Sequence, residues 1–512
     1  MVPRSGTGVR TRMSRLSCMV LTVALPLAAC GAQGTGTTEG DVEQITILVD
    51  GLGQEAGQGD FEGVTVRTGD ANTFDDHPYL PEGTTIDIAY PEFEGAELFS
   101  EGLAARVDQE VQDFRAGARD PVSLDIGWQI TAAASGVLGV RLVRTEEDMH
   151  GLRKGYSTYW YDAENGHTAY STELLADHEA LVTLNGLVRE RLGEDEDVDP
   201  AALQPVLRTY DSMGFNDDGD LVVEFDDGHL SPIIEGHVPS TDPGRLTVVI
   251  DFEEAGPLLS ELGGRAREAS LAEEHELTVQ EPDPDAEEPG PVPGVVRAGA
   301  PAPDCHGPEV RCIALTFDDG PHENTPELLD LLAEEEVTAT FFLNGDPALA
   351  RPSVFRRAYA EGHEIASHND HHEHMPEEYS GEELAAEVAA VSAMVRRQTG
   401  HTVQLFRPPF GTSSEEVLTE IGEQGMAEVL WNIDSQDWQD RTPDEIVADV
   451  VFSAQPNAIV LLHDPLDQTM EAVPELIAQL RALDYQFVTV SDTIGGPVAG
   501  ESYPPGGLGG TF

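Results

Sequence analysis

Apolar and polar positions follow two different periods between residues 305 and 494. Apolar runs such as Ile313–Phe317 and Ala458–Leu462 are typical of buried strands in a parallel sheet. Longer stretches with the 3.6-residue period of a helix separate these runs, and the longest is Glu382–Gln398. This alternation predicts an α/β fold with a parallel sheet, either open or closed as a (β/α) barrel. The other predicted elements are a strand at Thr338–Leu343 and helices at Pro326–Glu335, Ser353–Glu361 and Ala472–Leu483.

A second pattern precedes this region, over residues 80–268. Stretches with alternating apolar positions are mixed with helical stretches, and this order predicts a separate α+β domain. Asp177 stands where it can cap the amino end of a helix. The predicted strands are Ser123–Ile126, Gly136–Leu142 and Leu246–Phe252, and the predicted helices are Glu97–Phe114 and Asp177–Leu192.

Three segments carry neither period. Residues 269–304 are acidic and rich in proline, which predicts a stiff linker between the two domains. Residues 30–79 are rich in Gly, Thr, Glu and Asp and predict a flexible tether, interrupted by one short strand at Gln44–Val49. The glycine- and proline-rich residues 495–512 predict a disordered tail.

The first residues have the composition of an export signal. Four arginines precede the apolar stretch Leu16–Leu27, which is too short to span a bilayer, and no later segment is apolar enough to do so. Residues 1–29 therefore form the expected signal peptide. They are followed by Cys30, and Leu27-Ala28-Ala29-Cys30-Gly31 resembles the lipobox of bacterial lipoproteins. The resemblance implies a lipid on Cys30 that holds the protein on the outer face of the membrane, facing the cell wall. The alternative is an ordinary secretory signal with a chance cysteine.

The charge balance excludes one class of partner. The chain has 28 basic and 95 acidic residues and a formal net charge of −67. Such an excess repels nucleic acid, so we expect no nucleic-acid partner. A solvated acidic surface, which keeps a protein soluble at high ionic strength, explains the composition, and a cationic partner is the alternative. We expect a monomer.

Two of the four cysteines are expected to pair. Cys18 lies in the export signal and Cys30 is the expected lipid site, which leaves Cys305 and Cys312. In an exported protein such a close pair favours a disulfide, which would join the segment before the first barrel strand to that strand. Two free thiols are the alternative. A zinc knuckle is disfavoured because only His306 lies nearby.

The candidate chemistry lies at the carboxyl ends of the predicted strands, where parallel sheets collect functional groups. Asp318 and Asp319 follow the first strand of the barrel region. Two adjacent carboxylates there repel each other unless a cation lies near. A helix cap followed by a turn would explain one of the two but not both.

A histidine cluster follows a later strand. Five histidines lie between His363 and His374, and His368 and His372 are four residues apart. With a distant carboxylate these two would form a two-histidine, one-aspartate metal site that leaves positions open for water and substrate. A solvated histidine-rich loop explains the cluster equally well.

Three further segments follow strands. The loop Arg407-Pro408-Pro409-Phe410-Gly411 is rigid and could aim a backbone N–H at a developing oxyanion. Asp437 lies among tryptophans, which suits a sugar site, while a core tryptophan beside a surface turn is the alternative. His463 ends an apolar strand, where it is either a satisfied core group or a general acid.

These five segments, in this order, resemble the polysaccharide deacetylase family, the NodB homology domain of carbohydrate esterase family four. The resemblance covers residues 305–494. It implies a distorted (β/α) barrel and a hydrolase that removes acetyl groups from peptidoglycan, chitin or xylan. It also implies a divalent metal, most often Zn²⁺, with Co²⁺ or another divalent ion as alternatives.

The resemblance also implies roles for single residues. Asp319, His368 and His372 would hold the metal. Asp318 would be the general base that takes a proton from the attacking water, and His463 would protonate the leaving amine.

Supporting roles follow from the same resemblance. Arg407 would position Asp318, and Asp437 would tune either Arg407 or His463. The backbone N–H of Phe410 would stabilise the oxyanion. Trp438 and Leu461 would line a pocket for the acetyl methyl group.

Three positions depart from the family pattern. Asn369 stands where Ser or Thr commonly follows the first metal histidine, and we expect only a modest effect because it can still hydrogen-bond the loop. His371 and His374 are additional histidines, but the four-residue spacing favours His368 and His372 as ligands.

The earlier domain has a resemblance of its own. The segment Tyr156–Asp162, followed by Gly166 and Leu174-Leu175, resembles an α+β domain found ahead of some surface deacetylases. Residues 232–262 fit its closing strand and helix. The aromatic cluster either contacts glycan or belongs to a core strand.

Our leading hypothesis is a surface-anchored enzyme that hydrolyses N-acetyl groups of peptidoglycan N-acetylglucosamine or N-acetylmuramic acid. The alternatives within the enzyme class are a chitin or chitooligosaccharide deacetylase and an acetylxylan esterase. From another class, the chain would be a catalytically inactive glycan-binding lipoprotein, but every expected catalytic position is present.

Overall fold

The computed structural model describes residues 45–48, 63–70, 73, 83–193, 198–230, 246–273, 276–279, 290–297, 302–307 and 309–504. All of them belong to one compact unit, residues 43–512. The expected signal peptide and Cys30 lie outside the described residues. Within the described part of the chain, no helix combines the length and the apolar character needed to cross a membrane.

The amino-terminal part contains a six-stranded sheet with the strand order β2-β3-β4-β5-β6-β7 and a three-stranded sheet with the order β10-β9-β8. The helix α1 packs on the larger sheet, with Phe99 and Leu103 in a shared apolar cluster. The elements are β1 (Ile45–Leu48), β2 (Val64–Asp70), β3 (Thr85–Phe93), α1 (Glu97–Gly117), β4 (Ser123–Ala134), β5 (Val137–Asp148), β6 (Gly151–Asp162), β7 (His167–Tyr170), α2 (His178–Leu192), β8 (Ser212–Phe215), β9 (Leu221–Phe225), β10 (Leu246–Ile250), α3 (Phe252–Ala255), α4 (Glu261–Ser270) and β11 (Glu276–Val279).

The predicted strands and helices of this part are all present. Asp177 caps α2 as expected, because its side chain accepts a hydrogen bond from the backbone N–H of Ala180 at 2.9 Å. The aromatic segment Tyr156–Asp162 lies in β6, where Trp160 is fully buried. A core strand, rather than a glycan contact, therefore explains these aromatic residues.

Two of the predicted boundaries are wrong. The range 30–79, read as a tether, contains β2, which pairs with β3 over its full length. The range 269–304, read as a linker, contains β11, which pairs with β1 and buries Leu277 completely. Proline and acidic composition predicted the flanks of β11 but could not reveal a strand whose partner lies far away in sequence.

The carboxyl-terminal part is a nine-stranded sheet in which every paired strand runs parallel to its neighbour. The strand order is β17-β18-β12-β13-β14-β15-β16-β20, and β19 also pairs with β12. This confirms the predicted α/β class, a distorted (β/α) barrel preceded by a separate α+β part. The elements are β12 (Arg311–Gly320), α5 (Thr325–Glu334), β13 (Thr340–Leu343), α6 (Gly345–Ala350), α7 (Pro352–Ala360), β14 (Glu364–Ser367), α8 (Met375–Glu378), α9 (Glu382–Thr399), β15 (Leu405–Phe406), α10 (Glu415–Glu423), β16 (Ala427–Val429), β17 (Ile433–Asp434), α11 (Pro443–Ser453), β18 (Ala458–His463), α12 (Asp467–Ala482), β19 (Tyr485–Phe487), α13 (Val490–Ile494) and β20 (Ser502–Tyr503).

The predicted disordered tail, residues 495–512, is wrong in its first part. Within it, β20 adds to β16, and the backbone N–H of Leu430 donates to the carbonyl of Tyr503 at 2.7 Å. The strand covers backbone groups of β16 that would otherwise lack partners. The glycines on either side of β20 masked this role in the sequence.

Side chains of the barrel strands alternate between two apolar clusters. In β12, Phe317 packs outward with the helices, whereas Ala314 packs inward with the other strands. In β18, Leu462 packs outward in the same way. Because the side-chain period of a strand is two, Asp318 and His463 take inward positions at the strand ends. The alternation therefore directs these two polar groups into the mouth of the barrel.

Replacing Leu480 by Ala should destabilise the protein by about 2–5 kcal/mol, because the cavity left in the core collapses only partly. Leu480 is fully buried between α12 and the sheet, whereas Leu483 at the end of the same helix is 41% exposed. The control Leu483→Ala should cost less than about 1 kcal/mol. Urea unfolding measures both free energies, and equal losses would contradict this packing of α12.

Candidate active site

A β-bulge in β12 lets the carboxylates of Asp318 and Asp319 both face the mouth of the barrel. In a regular strand, Asp318 and Asp319 would point to opposite faces. The pairing of β12 with β13 shifts register between Asp318 and Gly320, and Asp319 has a left-handed backbone with φ of 71°. Such a bulge re-aims a side chain. Gly320 is required next to it, because a Cβ there would come within 2.0 Å of Asp464 Oδ2.

Asp319, His368 and His372 converge as predicted. Asp319 Oδ1 lies 3.2 Å from His372 Nε2 and 3.6 Å from His368 Nε2. Their ligand atoms all lie within 4.8 Å of one another. A tetrahedral ion with ligand bonds of about 2.0–2.2 Å needs ligand atoms about 3.3–3.6 Å apart, so the spacing fits.

The chemistry of these donors also fits a metal ion. Asp319 Oδ1 is buried and, among the described residues, has no hydrogen-bond partner. Burial would raise the pKa of Asp319, but the adjacent imidazole of His372 and the charge of His368 lower it to about 2. The carboxylate is therefore ionised and available as a ligand. Burial lowers the pKa of His368, which favours the neutral imidazole that metals require.

A hydrogen bond at Nδ1, the ring nitrogen that does not face Asp319, fixes the orientation of His368. Its Nδ1 lies 2.7 Å from the backbone carbonyl of Arg407, which can only accept a hydrogen bond. Nδ1 therefore carries the proton, and Nε2 keeps its lone pair for a metal.

Asn369, the departure from the family pattern, closes the loop that carries both histidines. Its Oδ1 accepts a hydrogen bond from the backbone N–H of His372 at 2.7 Å. The amide thus makes the loop contact expected of it.

Arg407 lies against Asp318, the residue that the family resemblance implies it would position. The guanidinium is fully buried and donates to Asp318 Oδ1 at 2.7 Å and to Thr316 Oγ1 at 2.8 Å. Its other nitrogens donate to the backbone carbonyls of Val429 and Leu430, each at 3.1 Å. Asp318 Oδ2 is left on the side of His368 Nε2, at 3.7 Å.

Asp437 is paired with His463. One carboxylate oxygen lies 2.7 Å from His463 Nδ1, and the other accepts from the His463 backbone N–H at 2.7 Å and from Thr469 Oγ1 at 2.6 Å. Of the two expected partners of Asp437, His463 is the one in contact. Burial alone would lower the pKa of His463, but the hydrogen bond and charge of Asp437 and the charges of Asp318 and Asp319 raise it to about 9.

The predicted pocket residues differ in exposure. Phe410 is 48% exposed, has a left-handed backbone with φ of 59°, and packs its ring against His372. Trp438 is 57% exposed. Leu461 is 3% exposed and belongs to the apolar interior of the barrel. Phe410 and Trp438 are therefore accessible at the surface, whereas Leu461 lies below it.

The additional histidines have other partners. His371 Nδ1 lies 2.6 Å from Glu387 on α9, and the ring of His374 stacks on Phe410 with centroids 4.1 Å apart. The Cys305–Cys312 pair forms a disulfide, with an S–S distance of 2.04 Å.

Several supporting residues escaped the sequence analysis. Thr469 holds Asp437, and Asn344 donates to the backbone carbonyl of His368 at 2.7 Å. Asn344 follows β13 directly, so its position at a strand end was a usable signal. Thr469 and Glu387 lie inside helices and carried no such signal.

Known proteins that resemble this chain match the part that forms the barrel and the candidate site. A family model for polysaccharide deacetylases matches residues 306–429. A peptidoglycan-N-acetylglucosamine deacetylase of Listeria monocytogenes is 34% identical over 184 residues, which are 36% of this chain and 39% of that protein. A chitooligosaccharide deacetylase of a Bradyrhizobium strain is 36% identical over 196 residues, 35% of this chain and 88% of that protein. A peptidoglycan-N-acetylglucosamine deacetylase of Bacillus cereus is 35% identical over 190 residues, 36% of this chain and 88% of that protein.

In Asp437→Asn, the pKa of His463 should fall from about 9 toward its ordinary value of 6.5, because the carboxylate that stabilises the imidazolium is gone. NMR titration of the histidine ring signals in metal-free protein measures the change, with His463→Gln used to assign the signal. The control Asp440→Asn alters an exposed acid of the same segment and should leave this pKa in place. An unchanged pKa in Asp437→Asn would refute the electrostatic coupling.

Proposed function

The chain belongs to the polysaccharide deacetylase family, and from this premise we propose that it removes N-acetyl groups from cell-wall polysaccharide. The proposed substrates are N-acetylglucosamine or N-acetylmuramic acid residues of peptidoglycan. One observation carries the proposal: the convergence of Asp319, His368 and His372 beside an arginine-held Asp318 and an aspartate-held His463. We assign this chemistry to residues 305–504 and treat residues 83–273 as an accessory domain.

We propose that Asp319, His368 and His372 hold Zn²⁺. Two imidazoles and one carboxylate are a donor set of catalytic zinc sites, and Co²⁺ or another divalent ion suits the same donors. When bound, the ion would polarise the acetyl carbonyl and lower the pKa of water at the site.

Asp318 is the proposed general base. Arg407 holds Oδ1 and leaves Oδ2 free to accept a proton from the attacking water. Because the guanidinium is anchored by two backbone carbonyls and Thr316, the carboxylate keeps a single orientation. A fixed base reduces the entropy lost when water and amide are brought together.

His463 is the proposed general acid. An amine leaves poorly unless it is protonated, and His463 with a pKa of about 9 is protonated at neutral pH. Asp437 keeps Nδ1 occupied, so the proton on Nε2 is the one given to the leaving nitrogen. Asp318 and His463 are register partners on the adjacent strands β12 and β18, which sets base and acid beside one another.

The rest of the site would bind the glycan. We propose the backbone N–H of Phe410 as a donor to the oxyanion, and Leu461 as an apolar contact for the acetyl methyl group. The exposed rings of Phe410 and Trp438 suit stacking on sugar faces.

The setting favours peptidoglycan. The predicted lipoprotein signal and Cys30 would hold a monomeric enzyme on the membrane, beside the cell wall. Chitooligosaccharide is the second candidate, because the Bradyrhizobium relative carries that activity in its name and is matched over 88% of its length. The same groups act on both glycans, so substrate comparison has to decide.

Purified protein loaded with Zn²⁺ should release acetate from peptidoglycan, and a chelator or Asp319→Asn should reduce the rate by at least about a hundredfold, since both remove the metal chemistry. Acetate is measured by a coupled enzymatic assay with peptidoglycan, chitooligosaccharide and acetylxylan in parallel. Asp440→Asn is the matched control and should keep full activity. No release from any of the three glycans would refute the proposed function.

The rate should fall as pH rises through about 9, because His463 must be protonated to act as an acid. Asp437→Asn lowers that pKa, so kcat/KM should begin to fall at a lower pH. Its maximum value should also be smaller than in the wild-type protein. A pH profile of kcat/KM measures both effects. An alkaline limb that stays in place would exclude His463 as the general acid.

A further inference from the structure

The loop that carries both metal histidines, residues 368–374, is contacted by the amino-terminal part of the chain. Arg119 lies between α1 and β4, and its guanidinium donates to both carboxylate oxygens of Asp370. The contact from Nη2 to Oδ1 measures 2.6 Å, and the same nitrogen donates to Asp346 Oδ1 at 3.0 Å. Asp370 is 5% exposed, so this pair is largely shielded from water.

The loop needs such support because its backbone is strained. Asn369 and His372 have φ values of 63° and 56°, in the left-handed region. Such a conformation persists only where the surroundings hold it. Asp370 lies between these two residues.

The loop is held from a second side by the barrel. The backbone N–H of Gly345 donates to the carbonyl of Asp370 at 3.1 Å. A Cβ at position 345 would come within 1.7 Å of Asp370 Oδ1, so the loop sits directly on this glycine. His371 is bonded to Glu387 of α9 at 2.6 Å. Arg119 thus completes a set of contacts that encloses the loop.

Charge makes the contact from Arg119 important. The carboxylates of Asp370 and Glu387 lie on the same imidazole, with Asp370 Oδ2 at 3.5 Å and Glu387 Oε1 at 2.6 Å from His371 Nδ1. The side chains of Asp370 and Glu387 are both largely buried. A buried carboxylate left without its cationic partner is costly and tends to move toward water. Removing Arg119 would therefore favour a shift of Asp370 and of the loop.

The interface between α1 and α9 positions Arg119. The helix α1, which ends two residues before it, packs on α9, and Asp113 accepts from Arg396 at 2.7 Å. A second pair joins Arg397 of α9 to Glu146 of β5. Because α9 also carries Glu387, the two contacts on the loop, from Arg119 to Asp370 and from Glu387 to His371, are both anchored at the interface between α1 and α9.

We propose that the amino-terminal domain braces the metal-binding loop, with Arg119 as the positioning residue. This inference rests on the proposed metal site. Arg119 takes no part in the chemistry and acts through Asp370. It raises metal affinity because it holds His368 and His372 in the arrangement that binds the ion.

The competing explanation of the same residues is a second cation. Asp370, His371 and Glu387 offer ligand atoms within 4.8 Å of one another. Arg119 already donates to both oxygens of Asp370, so a cation there would have to displace the guanidinium. The brace therefore accounts for the cluster, and metal stoichiometry separates the two.

The test uses the full chain and the variants Arg119→Met, Arg119→Lys and Arg397→Met. Competition with a chromophoric chelator measures Zn²⁺ affinity and stoichiometry, and the absorption spectrum of Co²⁺-loaded protein reports ligand geometry. Arg119→Met should bind Zn²⁺ at least about tenfold more weakly and change the Co²⁺ spectrum, as loss of a residue behind a metal ligand does. kcat should fall while KM changes little.

Two comparisons make the result specific. Arg397→Met removes another charge pair of the interface without touching the loop, so its Zn²⁺ affinity should stay within about twofold of wild type. Arg119→Lys keeps the charge but not the two-pronged contact, and its affinity should lie between wild type and Arg119→Met. If Arg119→Met does not fold, Arg119→Lys provides the test, and its Zn²⁺ affinity should be at least about threefold weaker than that of the wild-type protein.

Three outcomes would overturn the brace. The first is an unchanged Zn²⁺ affinity and Co²⁺ spectrum in Arg119→Met, or in Arg119→Lys if only that variant folds. The second is a loss of Zn²⁺ affinity in Arg397→Met that equals the loss in Arg119→Met. The third is the binding of two equivalents of Zn²⁺ by the wild-type protein. Failure of the proposed function looks different, because wild-type protein would then release no acetate. A wild type that releases acetate beside an unaffected Arg119→Met would refute the brace alone.

Discussion

The guanidinium of Arg407 lies inside the mouth of the barrel with no exposure to solvent. A buried cation costs several kcal/mol unless it is paired and its hydrogen bonds are satisfied. Arg407 meets this requirement through Asp318, Thr316 and two backbone carbonyls at the end of β16, those of Val429 and Leu430. Its guanidinium carbon also lies 3.9 Å from the centroid of the Phe342 ring. The ends of β12, β13, β15 and β16 must therefore stand in one fixed arrangement, which is also the arrangement of the candidate site.

The site is divided into two electrostatic halves around this centre. On one side, one carboxylate and two imidazoles, those of Asp319, His368 and His372, lie together as the donor set that we propose for the metal. On the other side, Asp437 holds His463 as a cation. Asp318 stands between the halves, bonded to Arg407 and in register with His463. This separation would let one site contain the proposed base and the proposed protonated acid without the two neutralising each other.

Backbone strain is concentrated at the same place. Of the described non-glycine residues with left-handed backbone, five lie in the segments that form the site: Asp319, Asn369, His372, Phe410 and Gln436. Such conformations are retained only where neighbouring contacts determine them. The contacts around the loop 368–374 come from α9, from Gly345 and, across the interface, from Arg119. An accessory domain that stiffens a strained ligand loop would link the two halves of the chain in a single function.

Periodicity in the sequence predicted several strands and helices of the barrel, among them β12, β13, β18 and α9. Residue types at strand ends made Asp318, Asp319, His368, His372, Arg407 and His463 candidates, and the order of their segments, through the family resemblance, suggested their roles. These signals are local, because the alternation along a strand and the spacing within a motif each involve only a few neighbouring residues. What only the tertiary structure decided depends on residues that are distant in sequence. It paired β11 with β1 and β20 with β16, chose His463 over Arg407 as the partner of Asp437, and brought Arg119 to Asp370, 251 residues away. An isolated arginine in a helix-to-strand connection carries no local sign of its partner, since the contact exists only once the amino-terminal part packs on the barrel.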